Sequence, residues 1–127
     1  MRDADAGSNK ILVVDDDEKI GSLVCHFLEK CSFEVHGVGD GLDAIAFLRK
    51  RREHFDIMIT DYSMPLMNGL ELTKIVRRWY PRTVIFGMSG FEGVEKDFMK
   101  AGALAFFRKA FHLPDMLSTI NTVFPLQ

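Results

Sequence analysis

Residues 55–69 read FDIMITDYSMPLMNG, and this stretch limits the possible folds more than any other. Ile57, Met58 and Ile59 form an apolar run without alternation, the pattern of a strand buried on both faces. The run stops at Asp61. Pro65 and then Asn68-Gly69 supply the turn chemistry that takes a chain out of a sheet, and Leu70, Ile75, Val76 and Trp79 then recur at helical spacing. In an open parallel α/β sheet, ligands bind just outside the carboxyl ends of the strands. Asp61 stands at such an end.

The rest of the chain repeats this unit. Residues 10–15 (KILVVD) are an apolar run closed by Asp15, Asp16 and Asp17, after which Ile20, Leu23, Val24, Phe27 and Leu28 follow a helical period. A second strand is expected over 33–38, and Asp40-Gly41 opens a helix whose buried stripe is Leu42, Ile45, Ala46 and Leu48. The third helix ends near Tyr80-Pro81, because proline cannot continue it. A fourth strand over 83–89 ends in Ser89-Gly90, with a weaker helical pattern through Val94, Phe98 and Ala101. A fifth over 105–109 ends in Lys109, and a closing helix carries Leu113, Met116, Leu117, Ile120 and Phe124, with Pro114 in its first turn. Strands about two dozen residues apart with helices between them require parallel pairing and right-handed crossovers. The expected fold is α/β, a doubly wound five-stranded parallel sheet in a three-layer α/β/α sandwich.

One domain is expected over residues 10–124, with a flexible amino-terminal tail over 1–9 and a short carboxyl-terminal end over 125–127. A chain of 127 residues, 47% hydrophobic and 27% charged, has the profile of one compact soluble domain. A formal net charge of -2 gives no electrostatic footprint for nucleic acid or an anionic membrane, so neither is expected as a direct partner. No apolar run approaches the ~20 residues that span a bilayer. Cys25 and Cys31 have neither zinc nor redox spacing, and no signal peptide precedes them, so reduced thiols and a cytoplasmic location are expected. The basic run at 49–52 closes a helix, where cations complement the dipole and face water. His26, His36, His54 and His112 show no ligand spacing.

Asp15, Asp16, Asp61, Ser89 and Lys109 all fall at or just past strand ends, so the topology gathers them on one edge. Crowded carboxylates repel unless something positive sits among them, and a hard, oxygen-rich cluster of this kind suits Mg²⁺. With a metal and Lys109 balancing charge, the Asp61 carboxylate can act as a nucleophile toward phosphorus. Ser89 can then donate to a phosphoryl oxygen. Asp17 is read as the cap of the first helix rather than as a ligand.

The ordered set VVDDD, ITDYSMP, a strand ending in Ser-Gly, and FFRK resembles the receiver domain of two-component response regulators, of the chemotaxis-regulator type, over nearly all of 10–124. The resemblance implies the flavodoxin-like strand order 2-1-3-4-5. It also implies that Asp61 is the phosphoacceptor, and that Mg²⁺ is held by Asp15, Asp16, Asp61 and the backbone carbonyl of Ser63. Ser89 would be the switch hydroxyl, Lys109 the phosphate-binding lysine and Phe106 the switch aromatic. Ser63 and Phe91 fall at the positions that govern phosphoryl lifetime. The implied partners are a sensor histidine kinase or a histidine phosphotransfer protein as donor and a downstream protein as receiver of the signal. The chain would be no enzyme, but a phosphoacceptor that acts only on itself.

Three departures from the family pattern stand out: Ala110 where proline usually follows the lysine, a switch aromatic without a hydroxyl, and Phe91 two residues after Ser89. Without proline, the Lys109 to Ala110 peptide is expected to be trans. The alternative function is a Mg²⁺-dependent phosphohydrolase with an aspartyl-phosphate intermediate, but enzymes of the haloacid dehalogenase type want an acid where this chain has Ser63. A phosphate-independent interaction scaffold is the other alternative, and the presence of all five site residues argues against it. A flavodoxin-like cofactor carrier is disfavoured because the acidic loop after the first strand would repel FMN phosphate.

Overall fold

In a computed structural model, described over residues 9–110 and 112–124, the five apolar runs are five strands and each is followed by a helix. The tail expected over 1–9, Asn9 apart, and the end at 125–127 lie outside these residues. The strands are β1 (Lys10–Val14), β2 (Glu34–Val38), β3 (Ile57–Asp61), β4 (Val84–Ser89) and β5 (Ala105–Arg108). The helices are α1 (Glu18–Lys30), α2 (Gly41–Arg51), α3 (Gly69–Trp79), α4 (Val94–Ala101) and α5 (Leu113–Val123). All four strand pairings are parallel and the order is β2-β1-β3-β4-β5, as expected.

The sheet separates two apolar layers because alternate side chains point to opposite faces. Ile57 and Ile59 of β3 join Val24 and Leu28 of α1 and Met116 and Ile120 of α5 on one face. Met58 joins Ala44 and Leu48 of α2, Leu72 and Val76 of α3, and Phe98 of α4 on the other. Each fully buried side chain of this size contributes about 1.5 to 3 kcal/mol, so β3, buried at every position, anchors the fold.

The helix starts follow from capping. Asp17 accepts the N–H groups of Lys19 and Ile20 at 3.0 and 3.1 Å, the role expected of it, worth about 1 kcal/mol. Asn68 and Glu71 form a reciprocal capping box that starts α3 directly after the turn from β3. α4 has no such device. It begins at Gly93, at φ 90°, with no side-chain cap.

The stripe of α2 differs from expectation. Leu48 is buried as expected, but Leu42 and Ala46 face water while Gly41 and Ala44 are buried. Asp40 fixes the phase by accepting the Asp43 N–H at 2.8 Å, which turns positions 44 and 48 toward the sheet. Two apolar sets at equal helical spacing competed, and the period alone could not separate them.

Candidate functional site

The parallel sheet brings the carboxyl ends of β1, β3, β4 and β5 to one edge, and five of the expected side chains meet there. Asp61 is the last residue of β3 and Ser89 the last of β4, while Asp15 and Lys109 lie one residue beyond β1 and β5. Two glycines and a turn shape the approach. A Cβ at Gly69 would lie 2.1 Å from the Asp61 carbonyl oxygen, so only glycine lets α3 begin this close to the end of β3. Gly69 N–H also donates to the Tyr62 carbonyl at 2.8 Å, which closes the turn. On β4, a Cβ at Gly87 would lie 2.6 Å from the Phe98 ring, so that glycine seats the aromatic centre of α4.

Lys109 is the hub. Its ammonium group donates to Asp15 Oδ2 at 3.0 Å and lies 3.2 Å from Asp61 Oδ1. Asp15 and Asp61 are buried, and Asp16 stands exposed at the rim. Asp15 Oδ1 also accepts the Asp17 N–H at 2.9 Å, which aims its carboxylate inward. Burial and then the charge of Asp15 push the Asp61 carboxyl up to about 6, against the opposing pull of Lys109. Burial works against the charge on Lys109, but its hydrogen bond to Asp15 and the charge on Asp61 outweigh it and hold the ammonium above its usual range.

Carboxylate oxygens of Asp15, Asp16 and Asp61 lie within 4.8 Å of one another. All are hard donors without a sulfur or imidazole among them, so the trio fits a small oxygen-seeking divalent cation. None of the four histidines belongs to it. An open hollow of about 510 Å³ lies beside the trio, lined by Asp16, Asp61, Ser63, Ser89, Phe91 and Lys109 among others.

Ser89 is buried, and its Oγ accepts the Phe91 N–H at 2.9 Å, which holds the loop after β4 over the hollow. Phe106 does not line the hollow; it lies beside α4, its ring 5.7 Å from that of Phe98. A row of rings nevertheless links it to the site: Phe91 to Tyr62 at 6.0 Å, Tyr62 to Phe98 at 6.4 Å, and Phe98 to Phe106. Tyr62 and Phe98 were not among the sequence candidates for the site. The position of Tyr62, directly after Asp61, was the available signal.

The Lys109–Ala110 peptide is cis, not trans as expected. The expectation used only the local amide preference, and the tertiary setting decides instead. Lys109 N–H donates to the Ser89 carbonyl at 2.9 Å while its ammonium group is held by two carboxylates.

Comparison with known proteins gives a consistent result. The family model for the response regulator receiver domain matches residues 11–121. A putative two-component response regulator of Arabidopsis thaliana is 32% identical over 84% of this chain and 17% of its own length. The regulatory protein VanRc of Enterococcus gallinarum is 30% identical over 91% of this chain and 49% of its own. The chain thus spans less than half the length of either curated relative. Among solved structures, the chemotaxis response regulator CheY4 of Vibrio cholerae superposes with a TM-score of 0.81 at 32% identity, over 91% of this chain and 98% of that one. No helix among the described residues is long and apolar enough to cross a membrane.

Proposed function

We propose that this chain, which belongs to the response regulator receiver domain family, accepts a phosphoryl group on Asp61 from a histidine kinase or a histidine phosphotransfer protein and thereby changes its affinity for a downstream protein. The observation that supports this most directly is the pairing of a buried carboxylate with a half-buried lysine, Asp61 Oδ1 with Lys109 Nζ, beside an open hollow.

The chemistry follows from the residues. Asp61 is fixed in position by the β3 ladder and by the turn at Gly69, so its oxygen meets phosphorus with little loss of freedom during transfer. A bond forms between the Asp61 carboxylate oxygen and phosphorus while the donor's phosphorus–nitrogen bond breaks, and the electron pair leaves with the donor imidazole. Lys109 exchanges a contact with Asp61 for one with a phosphoryl oxygen, keeping its hold on Asp15. Ser89 donates its hydroxyl hydrogen to a second phosphoryl oxygen. Asp15, Asp16, Asp61 and the carbonyl of Ser63 would hold Mg²⁺, which supplies positive charge against the oxygens of the transferring group.

Output runs through the units after β4. A phosphoryl group that recruits Ser89 draws the loop bearing Phe91, and the row Phe91, Tyr62, Phe98, Phe106 passes that displacement to the face of α4 and β5. The domain of this activity is residues 10–124, in the cytoplasm. The test is incubation with acetyl phosphate and MgCl₂. The wild type should take up an alkali-labile phosphoryl group, Asp61→Asn should take up none, and equal labelling of the two would contradict the proposal.

A further inference from the structure

Charge is distributed very unevenly along this chain. Segments 44–52 and 72–91 hold eight of the sixteen basic residues, four in each, and none of the eighteen acidic ones. Segment 44–52 falls mostly in α2, and 72–91 runs from α3 through the loop to β4 and past its end. In a parallel α/β sheet the helices run back against the strands, so the carboxyl ends of α2 and α3 lie at the sheet edge opposite Asp61. Helix dipoles account for cations in the last turns of α2 and α3. They account for Arg52 as well, the residue that caps α2, but not for Arg82, which lies beyond the end of α3. Arg51 is engaged by Glu53 and Arg77 by the Pro81 carbonyl, whereas Arg49, Arg52 and Arg82 form no ion pair among the described residues.

An apolar groove runs through this basic region. It has a volume of about 500 Å³ and is lined by Ile45 and Arg49 of α2 and by Ile75, Trp79 and Tyr80 at the end of α3. A second hollow, of about 280 Å³, adjoins it across Trp79 and Tyr80 and is lined by Arg52 and Arg82, with Glu53 as its acid. Trp79 stands between them, 68% exposed, with the Arg78 guanidinium 5.8 Å from the centre of its ring. An exposed tryptophan among arginines is the composition of an interface centre rather than of a solvated helix face.

We propose that the α2–α3 groove docks an acidic amphipathic helix of a partner protein. An apolar side chain of that helix seats against Ile45, Ile75 and Trp79, and its flanking carboxylates meet Arg49, Arg52 and Arg82. Charge complementarity selects this occupant. A nucleic acid backbone would meet a few cations on a molecule of net charge -2, too small a footprint for a polyanion. A bilayer surface calls for a broad apolar face, whereas here the apolar floor is recessed between two helices. Because the groove lies at the far edge of the sheet, docking is independent of the state of Asp61, and the partner is held before and after phosphoryl transfer.

Trp79 is the only tryptophan of the chain, so its fluorescence reports on this groove alone. The full chain is titrated with two synthetic amphipathic helical peptides sharing one leucine and phenylalanine stripe, one bearing glutamates on its polar face and the other glutamines. The glutamate peptide should shift Trp79 emission saturably to shorter wavelength, and the glutamine peptide should bind about tenfold more weakly. Arg49→Glu with Arg82→Glu should weaken the glutamate peptide by at least a similar factor, whereas Asp61→Asn should bind it as the wild type does. Melting curves check that the variants fold; should the double variant fail to fold, the two peptides on the wild type still decide. Absence of a saturable shift, equal affinity for the two peptides, or tighter binding of oligothymidylate or of phosphatidylserine vesicles would overturn the proposal.

Discussion

Lys109, just past the edge strand β5, reaches across the ends of β4 and β3 to place its ammonium 3.0 Å from Asp15 beside β1. One cation therefore bridges two buried carboxylates, because Asp61 lies 3.2 Å from the same nitrogen. Replacing Lys109 by methionine leaves two carboxylates facing each other without that cation. Allowing for the 21% exposure of the lysine side chain, the metal-free variant should lose about 1 to 3 kcal/mol. Added MgCl₂ should then stabilise the variant more than the wild type, since a divalent cation replaces the missing charge. Urea denaturation with EDTA and with MgCl₂ checks both points; a loss below about 0.5 kcal/mol in EDTA would mean the bridge is not structural.

Gly69 and Gly90 flank the site with opposite tolerances. An alanine Cβ at 69 meets the Asp61 carbonyl oxygen at 2.1 Å, whereas at 90 its nearest contact is Lys109 Cβ at 3.9 Å. Gly69→Ala should cost about 2 kcal/mol or more and slow phosphorylation by displacing the end of β3, while Gly90→Ala should stay within about 0.5 kcal/mol of wild type. Equal stability of the two variants would refute this account of the turn.

Most of this geometry was legible in the chain itself, and the misses share a cause. Asp61, Asp15, Ser89 and Lys109 were legible because each ends or follows an apolar run, and a parallel sheet gathers such ends on one edge. Asp17 was legible as a cap because its chemistry is local. The inward phase of α2, the link of Tyr62 to Phe98 and the Lys109–Ala110 peptide all depend on contacts between residues distant in sequence. Neither periodicity nor local preference reports such contacts. The charge contrast between 72–91 and the rest was visible in the sequence, but its apolar groove exists only once α2 packs beside α3.

Cys25 lies where burial, then the charge of Glu29, pushes its thiol up to about 11. A raised pKa leaves about one thiol in a thousand ionised at pH 8, so alkylation by iodoacetamide should be slow in the folded protein and rise about tenfold per pH unit. Peptide mapping after timed alkylation between pH 7 and 9.5, against the denatured chain, measures this. A rate that levels off by pH 9 would contradict it.

Phosphoryl lifetime should be long. Ser63 and Phe91 line the hollow beside Asp61, and neither offers an acid or amide to orient an in-line water. Phe91 is 58% exposed and its ring is turned edge-on to Tyr62, so it occupies the approach as well. Phe91→Glu and Ser63→Asn should each speed decay of the phosphorylated form roughly tenfold, by supplying a group that positions water. Decay rates at fixed MgCl₂ test this residue by residue, and a variant that decays no faster than wild type removes its residue from the account.

The identity of the phosphorylated residue is the central claim, and it can be read directly. After incubation with acetyl phosphate and MgCl₂, borohydride reduction converts an acyl phosphate on aspartate into homoserine, and the tryptic peptide 53–74 contains both Asp56 and Asp61. Fragmentation of that peptide should place homoserine at 61 alone, with none when EDTA replaces MgCl₂. Homoserine at Asp56, at Asp15 or Asp16 in the tryptic peptide 11–19, or at 61 to the same extent in EDTA, would contradict the account.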